Sequence, residues 1–277
     1  MAALLSLLSA AVFGVGDFCG GMATKRSSAA AVLLWSHAIG LLLIVLALPL
    51  VGGELTGSDL AIGAISGLGS AAGVGLLYQA LSIGPMSVVA PVTALLAAAV
   101  PVVAGVVDGD RPGAAVALGM VLALAAIVLV SAEGGGSLLP SDLRGVTFAM
   151  GAGLGFGLFF AALSYTGDDA GLWPLVGART ASVGVTSVLA LTGVVAASVP
   201  RGQPRLLTAA AGTFDVLANV LYLLAVREGL LSVVSVLSSL YPVSTVLLAR
   251  LVLGERFVAI QRAGLLLAVP ATVLMAT

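Results

Sequence analysis

The chain has 277 residues, 60% of them hydrophobic and only 8% charged, with a mean hydropathy of +1.23 and a formal net charge of -1. Soluble domains carry about a quarter charged residues, so water could not solvate such a surface. Lipid can, because a helix satisfies its own backbone hydrogen bonds and ~20 apolar residues match the hydrocarbon core. The balanced charge excludes a nucleic-acid partner. One cysteine, Cys19, excludes a disulfide framework and a cysteine-based metal site, and no cofactor is expected.

Taken in chain order, charged, Gly and Pro clusters divide the apolar runs into ten expected spans. They lie near residues 3–23, 29–50, 60–81, 86–107, 113–131, 144–165, 172–198, 206–226, 230–252 and 258–276. The first run reads as a span rather than a signal peptide, since no basic residue precedes it and apolar spans recur to the end. All connections are short, and the longest, GGGSLLPSD, is expected to be a linker at 134–142 between a unit at 1–133 and a unit at 143–277. No GxxxxGK[ST] motif is present, which argues against an attached ATPase.

Residues 80–123 match residues 225–268 without a gap, at an offset of 145 (225 − 80). Ala80 pairs with Ala225, Ser87-Val88-Val89 with Ser232-Val233-Val234, Gly109 with Gly254, Arg111 with Arg256 and Gly119 with Gly264. A weaker match sets GVGDF (14–18) against GFGLF (155–159) and places His37 opposite Arg179. Five spans per copy is an odd number, so the second copy enters the membrane upside down. The expected fold is therefore an all-α membrane protein of ten transmembrane helices in two inverted five-helix repeats, an arrangement of secondary transporters with a midplane site.

The ten-span duplication and the segment SVVSVLSSLYPVSTVLLARLVLGERFVAIQRAG, with Pro242, the Gly254-Glu255 pair, Gln261 and Gly264, resemble the EamA-type family of the drug/metabolite transporter superfamily. The first half departs from that pattern, with Asp110 for the glutamate, Val116 for the glutamine and Ala97 where the second half has Pro242. The resemblance implies a central cavity lined mainly by spans 1, 3, 4, 6, 8 and 9. It also implies export of a small metabolite, amino acid or amphipathic drug, by exchange for protons.

Ionisable groups inside spans are expensive, roughly 2.5 to 3.5 kcal/mol on insertion scales, and usually face a cavity or a partner. Asp17, His37, Arg179 and Asp215 are the candidates. Asp215, Asn219 and Tyr222 recur at helical spacing and form either a substrate-facing wall or an interhelical hydrogen-bond cluster. Asp17, in the Gly-rich GVGDFCGG, is a proton-coupling carboxylate or a structural hydrogen bonder, and Asp215 is the second choice for coupling. His37, the sole histidine, is a proton relay or a packed hydrogen bonder. Arg179 needs an anion, either Asp215 or a substrate carboxylate. Tyr78, Gln79 and Tyr241 supply further polar tips to a cavity. Pro91, Pro101 and Pro242 interrupt the backbone ladder as hinges or as adjustments to neighbouring helices. Gly119 with Ala123, and Gly264 with Ala268, allow close helix contact within the monomer or in a homodimer.

These features point to a multi-pass protein of the cell membrane, a secondary carrier of a small organic solute and not an enzyme. A passive channel or a membrane-embedded enzyme is the alternative. Loops after odd-numbered spans hold most of the Lys and Arg, which places the termini outside, whereas the resemblance implies cytoplasmic termini; orientation stays open.

Overall fold

The computed structural model describes residues 1–83, 86–131, 143–253 and 258–276. The expected linker at 134–142 and the Gly254-Glu255-Arg256 segment lie outside the described residues. Among the described residues the regular structure is all helical. The first half holds α1 (Ala2–Thr24), α2 (Ala29–Val51), α3 (Gly57–Ile83), α4 (Met86–Asp108) and α5 (Ala114–Ser131). The second half holds α6 (Leu143–Leu163), α7 (Trp173–Leu191), α8 (Gln203–Glu228), α9 (Leu231–Ser238), α10 (Tyr241–Leu253) and α11 (Ala259–Met275). Among the described residues nine candidate spans are long and apolar enough to cross a bilayer, α9 and α10 counting together as one. The tenth, α11, has 17 residues, at the short end of what the hydrocarbon core needs.

Two local departures from the sequence expectation have physical causes. Span seven ends at Leu191 rather than near 198, in a turn through Gly193 at φ 75°, a conformation glycine adopts without a Cβ clash. Span nine is two helices with a turn at Ser239–Leu240, so that Pro242 lies in the first turn of α10, where its missing N–H leaves no bond unmade. By contrast, α4 runs as one helix through both Pro91 and Pro101. The discontinuity between the related spans four and nine is confined to the second.

The packing repeats the sequence duplication. α1 packs on α8 as α6 packs on α3, and α2 packs on α8 as α7 packs on α3. α4 packs on α6 as α9 and α10 pack on α1, and α5 pairs with α11 across the pseudo-two-fold axis. Gly119 rests on Ala271 and Leu274, and Gly264 on Leu129 and Val130, so the small-residue stripe serves the α5–α11 contact inside one chain.

Detailed contacts correct the weaker sequence match by two residues. Gly14 approaches Tyr241 and Ser244, while Gly157 approaches Leu96 and Val100. Tyr241 and Leu96 are repeat mates at the offset of 145, so Gly14 corresponds to Gly157 (157 − 14 = 143) and not to Gly155. Asp17 then corresponds to Phe160.

Apolar interiors supply no hydrophobic drive between helices in lipid, so close backbone contact must do so. α3 illustrates this: a Cβ on Gly67 would stand 2.0 Å from the Ala178 carbonyl oxygen of α7. We expect Gly67→Ala to lower the thermal unfolding midpoint of the purified protein by an amount equivalent to about 1–3 kcal/mol or more. Gly21→Ala, where a Cβ meets nothing within 4 Å, serves as the control and should leave it unchanged or slightly raised. Equal midpoints for both variants would remove close packing as the organising contact of α3.

Candidate functional site

With alternating helix directions, the N-terminus and the connections α2–α3, α4–α5, α6–α7 and α8–α9 share one face of the bundle, the termini side. Those connections are tied to one another. The Asp59 carboxylate accepts from the Gly167 backbone N–H at 2.8 Å, and Arg227 donates to the Gly167 and Gly171 carbonyls at 3.2 and 3.0 Å. The Glu54 N–H donates to Asp169 O at 2.8 Å, and the Asp110 carboxylate accepts from the Ser232 N–H at 2.9 Å. Asp110, the first-half substitute for the family glutamate, thus caps the start of α9. Tyr165 donates to Asp108 at 2.6 Å, and holding that proton against a carboxylate raises the phenol above its ordinary range. Gly52 and Gly171, both at positive φ, let the two loops touch: a Cβ on Gly171 would stand 2.2 Å from Gly52 O.

Beneath this layer lies an aromatic plug. Phe160 contacts Tyr222 with ring centroids 4.5 Å apart, Phe159 at 5.3 Å and Phe13 at 5.7 Å. Phe160 and Tyr222 occupy the parts of α6 and α8 nearer the termini side. The Tyr222 hydroxyl bonds the Phe160 carbonyl at 3.3 Å and shares a hydrogen bond with Ser235 at 3.1 Å. Tyr222 is fully buried, so this end of the expected α8 wall is a brace in the plug.

At the midplane the polar groups converge. Arg179, 1% exposed, forms an ion pair with Asp215, whose side chain is 26% exposed. Asn219, one turn along α8, donates to the Asp215 carbonyl at 2.7 Å and to its carboxylate at 3.2 Å. Of the two partners left open for Arg179 by the sequence, the structure supplies Asp215. His37 Nδ1 is hydrogen-bonded to the Ser182 hydroxyl. Its repeat mate Arg179 lies instead beside Gly40, the glycine related to Ser182 by the same offset of 142 (179 − 37 and 182 − 40). A glycine on α2 makes the room that a guanidinium on α7 requires. Ser182 escaped sequence reading because a serine in an apolar helix carries no signal by itself; its place one offset from Gly40 was the only clue.

Farther from the termini side, Asp17 on α1 lies within electrostatic reach of Asp215, Tyr78 and Tyr241. Tyr78 reaches α1 at Gly20, one turn beyond Asp17, where an added Cβ would stand 2.1 Å from its hydroxyl. Tyr241 opens α10, where Ser244 donates to the Ala10 carbonyl and Thr245 to the Gly14 carbonyl, fastening α10 to α1. Gln79 is exposed and continues the exposed stripe Ala61, Ile65, Leu68 and Ala72 on α3, its helical position being 100° from that of Tyr78. Gln261, from the family pattern, accepts from the Val258 N–H at 3.2 Å and caps α11 rather than lining a cavity. Among the described residues no cluster of three metal-ligating side chains occurs.

Residues 143–277 match the family model described as the EamA-like transporter family, part of the drug/metabolite transporter superfamily. The chain carries an EamA-like transporter domain. The family assignment and the apolar helices make it a multi-pass membrane protein of transporter type. A solved crystal structure resembles this EamA-like chain with a TM-score of 0.82 and 17% identity over 99% of this chain and 95% of its own, a likeness of fold alone. A search of curated protein sequences gave no match.

The buried pair yields a direct test. Removing one partner of a buried ion pair strands the other charge, at a cost of about 3–5 kcal/mol. Arg179→Met alone should therefore reduce folded yield in detergent, measured by monodisperse recovery and thermal midpoint, whereas Arg179→Met with Asp215→Leu should restore most of it. A double variant as unstable as the single one would mean that the pair does not govern the stability of this region.

Proposed function

We propose that the chain is a secondary active carrier of a small organic solute, with repeats 1–133 and 143–277 rocking about the midplane to expose one site alternately to the two sides. The observation that carries this reading is the contrast between two related places in the inverted halves. Asp17 and Tyr78, nearer the side opposite the termini, have as repeat mates Phe160 and Leu223, nearer the termini side. One half presents a group of polar side chains where its inverted copy presents the apolar plug. A carrier needs one passage open while the other is shut, and two inverted copies of one unit supply that by exchanging shapes.

On this reading Asp17, Tyr78, Tyr241 and the exposed edge of Asp215 with Asn219 line the site, and the turn before Pro242 is the hinge. Export of a metabolite, amino acid or amphipathic drug is the proposed direction, in exchange for protons. Asp17 is the coupling carboxylate of choice, because Asp215 is already engaged by Arg179 and His37 by Ser182.

Purified protein in liposomes should show saturable counterflow of its solute, with the rate of net flux rising severalfold under an imposed pH gradient. Asp17→Asn should remove the response to the gradient while leaving the protein folded. A flux indifferent to the gradient in the wild-type protein would eliminate proton coupling, and an unsaturable flux would eliminate the carrier.

A further inference from the structure

Resting on the reading of the chain as a carrier, we propose that its solute is an organic monocation, whose ammonium group is held by the Asp17 carboxylate between the phenols of Tyr78 and Tyr241. The charges of the cluster lead to this. Arg179 and Asp215 neutralise one another, and Asn219 takes up more of the Asp215 carboxylate. His37 is bound to Ser182 and lies beside Arg179. Asp17 is left with no hydrogen bond or ion pair among the described residues. The nearest basic residue along its own helix, Lys25, is exposed and eight residues on, about 12 Å along the axis. The protein therefore brings a carboxylate deep into a span with no countercharge for it among the described residues, at a cost that an incoming cation offsets.

A second observation is independent of that charge. Tyr241 is 9% exposed, and its hydroxyl is buried without a hydrogen-bond partner, within electrostatic reach of Asp17. Buried hydroxyls are nearly always partnered, so an unmatched one at a carboxylate marks a place where a ligand completes the set. Two aromatic rings around one carboxylate suit an alkylammonium, which gains from the ring faces as well as from the charge. An anionic solute fares worse, since it would face Asp17, while Arg179, the cation able to receive it, is fully buried and engaged.

The experiment uses the full-length protein in detergent and in liposomes. The probes are tetramethylammonium and phenethylamine as cations, acetate and phenylacetate as anions, and glycine as a zwitterion. The cations should raise the thermal midpoint in a saturable way at millimolar concentration, and the anions and glycine should not. Asp17→Asn should weaken that binding at least tenfold while keeping the unliganded midpoint, Asp17→Glu should retain most of it, and Tyr241→Phe should weaken it severalfold. Stabilisation by the anions or by glycine in place of the cations would overturn the proposal, as would undiminished cation binding in Asp17→Asn or no response to either cation. Saturable counterflow of an anionic or neutral solute would refute the monocation and leave the carrier standing. Absence of counterflow for a cation that binds would refute the carrier instead.

Discussion

A guanidinium placed in the middle of a membrane cannot discharge and cannot reach water, and in this protein that constraint orders the surrounding structure. Arg179 takes Asp215 as its anion. Its guanidinium lies beside Gly40 of α2, where the backbones of α2 and α8 approach at Gly212. The pairing fixes α7 against α8, and Asn219 sets the carboxylate from the same helix. With Asp215 engaged, Asp17 is the acidic group of the cluster without an ion-pair partner among the described residues, and the phenols of Tyr78 and Tyr241 lie within its electrostatic reach.

The inverted duplication explains why this site exists once and not twice. At the offset of 145, Asp215 faces Ser70, Asn219 faces Val74, Tyr78 faces Leu223 and Tyr241 faces Leu96. Each polar member has an apolar or neutral mate, and Asp17 has Phe160. The scaffold kept its symmetry in backbone packing, where glycine contacts recur in related pairs, and lost it in side-chain chemistry. Backbone symmetry is what rocking requires. Chemical asymmetry is what a small, single solute requires, since two equal sites would bind it on both sides of the axis.

Much of this was legible in the sequence, and for a physical reason. Span number follows from hydrophobic length, and the inversion follows from the odd count per repeat, neither of which depends on side-chain detail. The pairing of Arg179 with Asp215 was also within reach, as one of two partners a buried guanidinium must choose between. What escaped was rotational and local. The two-residue error in matching α1 to α6 arose because glycines recur at every second position in both GVGDF and GFGLF, so composition cannot fix register there. Gln79, expected as a polar tip near the end of span three, is exposed on α3, 100° around the helix from the buried Tyr78. The break in span nine came from Tyr241-Pro242 opening a new helix, whereas the same residue type left α4 as one helix at Pro91 and Pro101. A proline tells where a hydrogen bond is missing, not whether the helix parts.

The unequal mates also bear on the energetics of alternation. If the halves exchange shapes, closing the pocket side would bring Asp17 and Tyr78 into the tight packing now occupied by Phe160, Leu223 and the rings around them. A carboxylate without a countercharge resists such burial, because taking it out of contact with solvent costs more than burying a phenyl ring. On the proposed reading an empty site would favour the arrangement in which the termini side is shut, and the loop hydrogen bonds at Asp59, Asp110 and Arg227 would add to that preference. On the proposed carrier reading, a proton or a cation on Asp17 would cancel the charge and lower the barrier to the exchange. Movement would then be tied to occupancy, which on that reading keeps the carrier from rocking empty and dissipating the gradient that drives it.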